Sequence, residues 1–342
     1  MTMYQNYILA GDIGGTKTIL AIAYFEGNRI NWAHKKRFIS HSYDSLDEMI
    51  IEFFSEISLK PIDVIASFGI AGPVQDGRVK TTNLPWHVDA SELKNNLGFK
   101  NVNLVNDFKS IGLGIPYLKE QDLLILNEGL KDRNGHVAII GAGTGLGQGL
   151  AIYSRAHKRY RVLPSEGGHC DFAPNNEEEI GLLRYLMQKY EHVSVEKVVS
   201  GLGLFNIYNY LAESGFAERS PETRKKLEAG DPAAVISSLA IEGSDALCVK
   251  ALDMFASIYG AEAGNLALKA LPSGGLYVGG GMAPKLKGKL IDGTFMKGFL
   301  NKGRLSEFMK SIPVYVILNE EVGLMGAAVR GSELYLNNKG AK

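Results

Sequence analysis

Two glycine-rich turns, about 130 residues apart, constrain this chain more than any other feature. Residues 11–18 read Gly-Asp-Ile-Gly-Gly-Thr-Lys-Thr, and residues 141–147 read Gly-Ala-Gly-Thr-Gly-Leu-Gly. Each turn lies between two apolar runs that are typical of strands. Glycine permits positive φ angles and close backbone approach, so the N–H groups of two such hairpins can surround one anion. The pattern predicts a duplicated architecture that binds a triphosphate in a cleft between its halves.

Length and charge narrow the class of protein. A chain of 342 residues exceeds the size of most single cores, which favours two domains. Lys+Arg and Asp+Glu number 37 each, so we expect neither a nucleic-acid partner nor a membrane partner. The only cysteines are Cys170 and Cys248, too few for a disulfide scaffold. With no apolar run of about 18 residues and no cleavable leader, the chain is expected to be cytoplasmic.

The hydrophobic periodicity predicts an alternating α/β order. The predicted strands cover residues 7–10, 19–25, 30–38, 64–68, 102–105, 123–126, 137–141, 147–154, 159–163, 276–278 and 314–318. The predicted helices cover 46–57, 177–190, 194–200, 203–213, 232–240, 244–269 and 323–336. The strand pattern begins again after Gly114, so we expect a small α/β domain of residues 1–116 plus 318–342. Residues 117–317 would form a large α/β domain.

Polar residues that suit phosphoryl transfer stand at strand ends or turns: Asp12, Asn106, Asp107, the segment 166–169 and Glu196. In open α/β sheets, ligand sites gather at the carboxyl ends of strands. Phosphoryl transfer needs a cradle for the phosphates, a metal ion, and a carboxylate that takes the proton from the attacking hydroxyl. The glycine turns suit the phosphates, Asp12 the metal and Asp107 the proton.

Each of these residues also has a structural interpretation. Asp107 could be the N-cap of a helix that starts near Phe108, and Glu196 could serve only the dipole of its own helix. His169 could be a structural histidine, and Asp12 a strand-end cap. The joint occurrence of all of them with both glycine turns favours the functional interpretation.

Five motifs in order resemble the bacterial glucokinase family. They are Gly-Asp-Ile-Gly-Gly-Thr (11–16), Asn-Asp-Phe (106–108), Gly-Ala-Gly-Thr-Gly-Leu-Gly (141–147), Glu-Gly-Gly-His-Cys-Asp-Phe-Ala-Pro (166–174) and His-Val-Ser-Val-Glu (192–196). The resemblance runs from Gly11 to about Gly326. It implies a two-domain actin-like ATPase (ribonuclease H-like) fold with the active site in the cleft between the domains. The implied activity is ATP-dependent phosphorylation of D-glucose to glucose 6-phosphate.

The resemblance also implies roles for single residues. Asp107 would be the general base on the 6-hydroxyl, and the sugar-binding residues would be Asn106, Asp107, Glu166, His169 and Glu196. Asp12 would act on Mg²⁺ through water. The ATP-binding residues implied are Gly11, Asp12, Gly14, Gly15, Thr16, Lys17, Gly143, Thr144, Gly145, Gly279, Gly280 and Gly281.

Some points stay open at the level of sequence. Lys17 stands where close glucokinases often carry Asn, and it could contact a phosphate or be a solvated surface charge. The Cys-rich zinc loop of many ROK (repressor, open reading frame, kinase) proteins is missing after His169, so we expect no structural zinc. Another hexose or N-acetylhexosamine, such as mannose or N-acetylmannosamine, is an alternative substrate, and a non-catalytic sugar- and ATP-binding protein is a weaker one. The family suggests a homodimer.

Overall fold

A computed structural model describes residues 6–81 and 84–340 of the chain. These residues form two compact units. Unit 1 comprises the described residues of Met1–Glu120, together with Tyr160–Pro164 and Glu321–Lys342, and unit 2 comprises Gln121–Arg159 and Ser165–Glu320. The domain boundaries expected from the sequence stay a prediction.

The strands of the described chain, in order, are β1 (Ile8–Ile13), β2 (Lys17–Glu26), β3 (Arg29–Ile39), β4 (Ile65–Ile70), β5 (Arg78–Lys80), β6 (His87–Asp89), β7 (Asn101–Asn106), β8 (Leu123–Asn127), β9 (Val137–Ala142), β10 (Leu146–Ser154), β11 (Arg159–Ser165), β12 (Gly275–Gly279) and β13 (Val314–Ile317). The short hairpin of β5 and β6 was not predicted, because three-residue strands carry too little periodicity to be recognised.

The α-helices of the described chain are α1 (Leu46–Ser55), α2 (Ala90–Leu97), α3 (Asp107–Gly114), α4 (Glu177–Met187), α5 (Gly201–Glu213), α6 (Pro221–Ala229), α7 (Pro232–Glu242), α8 (Ala246–Ala270), α9 (Lys287–Ile291), α10 (Thr294–Leu300), α11 (Ser306–Lys310) and α12 (Val322–Gly340). Short 3₁₀ helices at Ser40–Ser42, Gly167–His169 and Val195–Lys197 matter for the site described below.

The α-helix predicted over residues 194–200 is wrong. The chain forms only the 3₁₀ turn Val195–Lys197 there, and α5 begins at Gly201. Ser200 is extended, with φ −164° and ψ 178°, and its hydroxyl accepts the N–H of Gly203. A capped start of this kind separates the two segments, since the N-cap residue itself is not helical.

A mixed sheet of order β3-β2-β1-β4-β7 forms the centre of unit 1. Strands β1 and β2 are an antiparallel hairpin, whereas β1, β4 and β7 run parallel. Ile13 pairs with Ile70, and Ile70 pairs with Asn106. The carboxyl ends of the three parallel strands therefore share one edge of the sheet, and Asp12 stands one residue before that edge.

Helices α3 and α12 cross at close range in unit 1. A Cβ at Gly326 would lie 1.6 Å from the carbonyl oxygen of Ser110, and one at Gly114 would lie 2.1 Å from that of Val322. The Ser110 hydroxyl donates to the carbonyl of Gly323 over 2.8 Å. Any side chain at either glycine would collide with backbone. The crossing thus holds the first turn of α12 beside α3, at the carboxyl edge of the sheet.

The sheet of unit 2 repeats the arrangement of unit 1. Its strands run β10-β9-β12-β13, with β8 antiparallel beside β13. Strands β9 and β10 are an antiparallel hairpin, and β9, β12 and β13 run parallel. A hairpin followed by two parallel neighbours therefore occurs twice, which confirms the duplicated α/β architecture that the two glycine turns predict.

Helix α8 is the central helix of unit 2 and packs against α5, α7 and α10. Most of its residues are buried, which is why its sequence is apolar on nearly every side. A Cβ at Gly260 would lie 1.9 Å from the carbonyl oxygen of Phe295 in α10, so glycine is required at this contact. In the described residues no single helix is long and apolar enough to cross a membrane; α7 and α8 pass that test only together, as a pair bent by 103°.

Candidate active site

The first glycine turn joins β1 to β2 and is fastened by Ser40. The N–H of Gly14 donates to the Lys17 carbonyl over 3.0 Å, which closes the turn. The Ser40 hydroxyl donates to the Gly14 carbonyl (2.7 Å), and the Ser40 N–H donates to the Thr16 carbonyl (3.0 Å). The buried hydroxyl of Thr18 lies 3.0 Å from that of Ser40. Ser40 was missed by the sequence analysis, because it follows β3 and no motif marks it.

Gly11 differs from the other glycines of this segment. It lies inside β1, and a Cβ there would lie 2.4 Å from the Phe68 ring of β4. Packing alone therefore requires glycine at this position. Gly14 and Gly15 are half-buried in the turn itself, and Thr16 is exposed.

Asp12 lies at the carboxyl end of β1, beside the first turn of α12. A Cβ at Gly323 would lie 3.1 Å from Asp12 Oδ2. Burial and, to a lesser extent, the negative charge of Asp107 raise the pKa of Asp12 to about 7, while the positive charge of Lys17 opposes the shift. A carboxyl group in such surroundings keeps a proton near neutral pH unless a cation replaces it.

Asn106, and not Asp107, is the N-cap of α3. Its Oδ1 accepts the N–H of Lys109 (3.1 Å), and its Nδ2 donates to the Gly72 carbonyl (3.2 Å). Asp107 is the first helical residue and half-buried, and its Oδ1 accepts the N–H of Phe108 (2.9 Å). The interpretation of Asp107 as the helix cap is therefore wrong. Its carboxylate is placed at the edge of the sheet by a cap that another residue provides.

The second glycine turn joins β9 to β10, and Ala142 is the last residue of β9. The buried hydroxyl of Tyr259 on α8 accepts the Ala142 N–H over 3.1 Å, and the Ala142 carbonyl accepts the N–H of Met282 over 3.2 Å. Gly280 has φ +80°, and a Cβ there would lie 2.5 Å from the Ala142 carbonyl oxygen. Residues 279–281 therefore lie against this turn, and glycine is required at the middle position.

Two further neighbours hold the tip of the second turn. Within it, the Gly143 N–H donates to the Gly145 carbonyl over 2.8 Å. The Gly143 carbonyl accepts the N–H of Gly201, the first residue of α5, over 2.8 Å. The Leu146 N–H donates to Oε2 of Glu196 over 2.9 Å. The interpretation in which Glu196 serves only its own helix is therefore wrong, because its carboxylate binds the turn.

The segment 166–169 is a tight turn that packs on β10. A Cβ at Gly167 would lie 2.2 Å from Oε1 of Gln148, and one at Gly168 would lie 2.0 Å from the carbonyl oxygen of Leu146. Both glycines are thus required by close packing. The side chains at the two ends of the segment, Glu166 and His169, are exposed.

A short antiparallel pairing joins this segment to the one that carries Glu196. The Val195 N–H donates to the Cys170 carbonyl (2.8 Å), and the Phe172 N–H donates to the Val193 carbonyl (3.0 Å). Unit 2 thereby gathers three predicted sugar-binding residues and the second glycine turn in one place.

The comparison with known families decides the identity of this fold. A sequence model described as Glucokinase matches residues 9–333. The chain belongs to the glucokinase family. It is 43% identical to a glucokinase of Nostoc sp. (strain PCC 7120 / SAG 25.82 / UTEX 2576) over 344 residues, which covers 96% of this chain and 100% of the relative. It is 36% identical to a glucokinase of Cronobacter sakazakii over 322 residues, which covers 94% of this chain and 96% of the relative.

Solved structures of glucokinases have the same fold. A glucokinase from an Antarctic psychrotroph superimposes with a TM-score of 0.82 at 31% identity, over 96% of this chain and 99% of that one. A ROK family glucokinase from Streptomyces griseus, in complex with glucose and AMPPNP, superimposes with a TM-score of 0.63 at 21% identity, over 96% and 100%. The likeness confirms the predicted two-domain actin-like ATPase fold.

A set of buried polar side chains lies next to the segment 166–169 and is not part of the glucokinase-family motifs. Gln148, only 4% exposed, donates from Nε2 to Oε1 of Glu262 (2.8 Å), which is 8% exposed. Asn265 donates to the other oxygen of Glu262 (3.0 Å) and accepts from Lys302 (2.8 Å). A glutamate inside the apolar run of α8 was the one signal in the sequence, and it was overlooked.

The two cysteines lie in different surroundings. Cys170 is exposed, while Cys248 is buried in α8, where burial raises the pKa of its thiol to about 12. In residues 6–81 and 84–340, no group of three or more His, Cys, Asp or Glu side chains is arranged to hold a metal ion. The expectation that the chain binds no structural zinc stays a prediction.

Proposed function

We propose that this chain transfers the γ-phosphoryl group of ATP to the 6-hydroxyl of D-glucose, forming glucose 6-phosphate and ADP. Membership of the glucokinase family over nearly the whole chain supports the activity. The observation that carries the chemistry is the carboxylate of Asp107, held at the carboxyl edge of the sheet by a helix that Asn106 caps. A sugar hydroxyl is a weak nucleophile, and a positioned carboxylate that takes its proton makes the oxygen a stronger one.

Asp107 acts as the general base in this proposal. The Phe108 N–H donates to one oxygen of the carboxylate, and the N-terminus of α3 favours its negative charge. The hydrogen bond restricts the orientation of the carboxylate before the sugar arrives, and the helix terminus favours its ionised form. The proton of the 6-hydroxyl passes to Asp107 as the oxygen attacks the γ-phosphorus and the bond to ADP breaks.

The proposal assigns the phosphates of ATP to the two glycine turns, residues 14–16 and 143–145, and the adenosine to residues 279–281. Lys17 adds a positive charge beside Asp12. The surroundings of Asp12 suit Mg²⁺, because a carboxyl group that burial and a second carboxylate keep protonated gains by exchanging its proton for a divalent cation. When bound with ATP, Mg²⁺ neutralises charge on the phosphates.

Hydroxyl groups of the sugar are assigned to Asn106, Glu166, His169 and Glu196. The Lys109 N–H of α3 uses one lone pair of the Asn106 amide and the Gly72 carbonyl uses one of its N–H groups, and the amide has two of each. Asn106 therefore retains one donor and one acceptor for the sugar. A sugar that lacks one of the matched hydroxyls would leave the side chain assigned to it without that hydrogen bond, which disfavours its binding.

A coupled assay of ADP release tests the activity. Glucose, mannose, fructose and N-acetylmannosamine are supplied in turn with MgATP, and we expect the highest kcat/KM for glucose. A higher kcat/KM for another sugar would reassign the substrate within the same chemistry. ADP release that no sugar stimulates would refute the proposed kinase activity.

We also propose that the chain works as a homodimer in the cytoplasm, where ATP is abundant. The homodimer rests on the resemblance to the family. Sedimentation equilibrium measures the assembly, and a monomer at all accessible concentrations would contradict it.

A further inference from the structure

Glu196 stands between two regions to which the proposed function gives different substrates. Its Oε2 accepts the N–H of Leu146, directly after the turn 143–145 assigned to phosphates. Its other oxygen, Oε1, makes no hydrogen bond with any residue of the described chain. The two oxygens of a carboxylate belong to one rigid planar group, so the contact of Oε2 with Leu146 restricts where Oε1 can lie.

We propose that Glu196 couples the sugar site to the second glycine turn, with one oxygen on the turn and the other on a sugar hydroxyl. The proposal rests on the proposed function for the identity of the two ligands. A sugar hydroxyl that donates to Oε1 holds the carboxylate in the orientation that fastens Leu146. Sugar binding then orders the turn before the nucleotide arrives, and linkage requires that the nucleotide strengthens sugar binding by the same factor.

Gly145 is the position at which this coupling can be broken from the nucleotide side. A Cβ at Gly145 would lie 2.5 Å from Oε2 of Glu196 and 3.3 Å from its Cδ. The carboxylate is the far end of a flexible side chain, so it would move away rather than distort the backbone. Both of its oxygens would move together, and the sugar contact would be lost with the contact to Leu146.

Gly143 in the same turn is a matched control. A Cβ there meets no atom within 4 Å, and neither Gly143 nor Gly145 has a positive φ. The hydrogen bond from Gly201 to the Gly143 carbonyl would survive the substitution, since it involves backbone only. The two alanine variants therefore differ in whether the new methyl group meets Glu196.

The test measures D-glucose binding by isothermal titration calorimetry without nucleotide. We expect Gly145→Ala to raise the dissociation constant about tenfold or more, as for a lost charge-assisted hydrogen bond, and Gly143→Ala to leave it within about twofold. In a Glu196→Ala background, Gly145→Ala should add nothing, because the clashing group is gone. Equal effects of the two glycine variants, or an undiminished effect of Gly145→Ala in that background, would overturn the coupling.

A second measurement covers the case in which Gly145→Ala does not fold. MgADP binding without sugar should weaken severalfold in Glu196→Ala, because the Leu146 N–H loses its acceptor. It should not change in His169→Ala, since the described hydrogen bonds of His169 are backbone bonds to Glu166 and to the His192 ring. Unchanged MgADP binding in Glu196→Ala would also overturn the coupling. The phosphorylation assay on the unmodified chain judges the proposed function separately.

Discussion

The two glycine turns have the same place in their sheets but different means of support. The turn between β1 and β2 is held on one side by Ser40, which is itself paired with Thr18 on the adjoining strand. The turn between β9 and β10 is held by Tyr259, Met282, Gly201 and Glu196, each from a different segment. The first support is local to one three-stranded region, whereas the second draws on distant parts of unit 2.

The carboxylates beside the two turns also differ in what they contact. Beside the first turn, Asp12 and Asp107 lie near enough for the charge of one to raise the pKa of the other. Beside the second turn, the carboxylate of Glu196 is engaged with backbone. In the proposed function, the first region carries the general base, Asp107, and the carboxyl group assigned to Mg²⁺, Asp12. We infer that the second region responds to sugar binding through Glu196. The predictions below test this division.

The largest expected effect is that of Asp107→Asn. Turnover should fall by at least about 10²-fold, because an amide cannot take the proton of the hydroxyl. The melting temperature should barely change, since Asn106 caps the helix. The matched control is Asn106→Ala, which should destabilise the chain by about 1 kcal/mol through loss of the cap. Near-normal turnover in Asp107→Asn would mean that Asp107 is not the general base.

A pH-dependent effect is expected at Asp12. Its pKa is raised from 3.8 to about 7 on folding, so the folded state binds the proton more tightly than the unfolded state does. Its contribution to stability is therefore greatest at low pH and is lost as the pH rises from about 4 to about 7. Asn mimics the protonated acid, so Asp12→Asn should be more stable than the unmodified chain at pH near 8, by up to about 4 kcal/mol, and equally stable at pH near 4.

Thermal melting between these two pH values, in the presence of a chelator, measures the difference. The exposed Asp76 provides a control, because Asp76→Asn changes a carboxylate that water solvates. An Asp12→Asn variant whose advantage does not grow with pH would mean that burial and the charge of Asp107 do not raise the pKa of Asp12.

The next effect concerns Tyr259→Phe, which removes one of the distant supports of the second turn. The buried Ala142 N–H would lose its acceptor, at a cost of about 1–3 kcal/mol in the free energy of unfolding. Tyr208→Phe is the matched control, because that hydroxyl is buried without a hydrogen-bond partner among the described residues. Denaturant titration of both variants measures the costs. Equal costs would show that the hydroxyl of Tyr259 does not support the turn.

The smallest effect is expected for Ser40→Ala at the first turn. The Gly14 carbonyl would lose one neutral hydrogen bond, so the Michaelis constant for ATP should rise about threefold to tenfold. Ser42→Ala, at an exposed position of the same 3₁₀ helix, is the control. If Ser40→Ala altered the constant for glucose instead, the local character of this support would be wrong.

The sequence predicts both hairpins correctly, because two apolar runs joined by a glycine-rich turn are typical of a pair of strands. It also predicts the long helix α8 to within two residues at its start, since an apolar run of that length is too long for a strand. It could not predict that Asn106 rather than Asp107 caps α3, because both residues are good caps and they are adjacent.

Contacts between residues that are far apart in the chain could not be predicted from the sequence, for a different reason. The bond from Leu146 to Glu196 joins residues 50 positions apart, and that from Gln148 to Glu262 joins residues 114 apart. Local propensity carries no information about such pairs. The local traces of these contacts are two glycines and one glutamate: a Cβ at Gly145 or Gly167 would meet the side chain of Glu196 or Gln148, and Glu262 interrupts the apolar run of α8.

The positions of the tryptophans have a spectroscopic consequence. The chain has two, and both belong to unit 1: Trp32 on β3, and Trp86, which is 3% exposed and donates to the Tyr43 carbonyl. Selective excitation of tryptophan therefore reports the environment of unit 1 alone, while unit 2 contributes only tyrosine signals. If the units melt at different temperatures, the fluorescence transition and the loss of helical circular dichroism will separate, since the long helix α8 lies in the unit that tryptophan does not report.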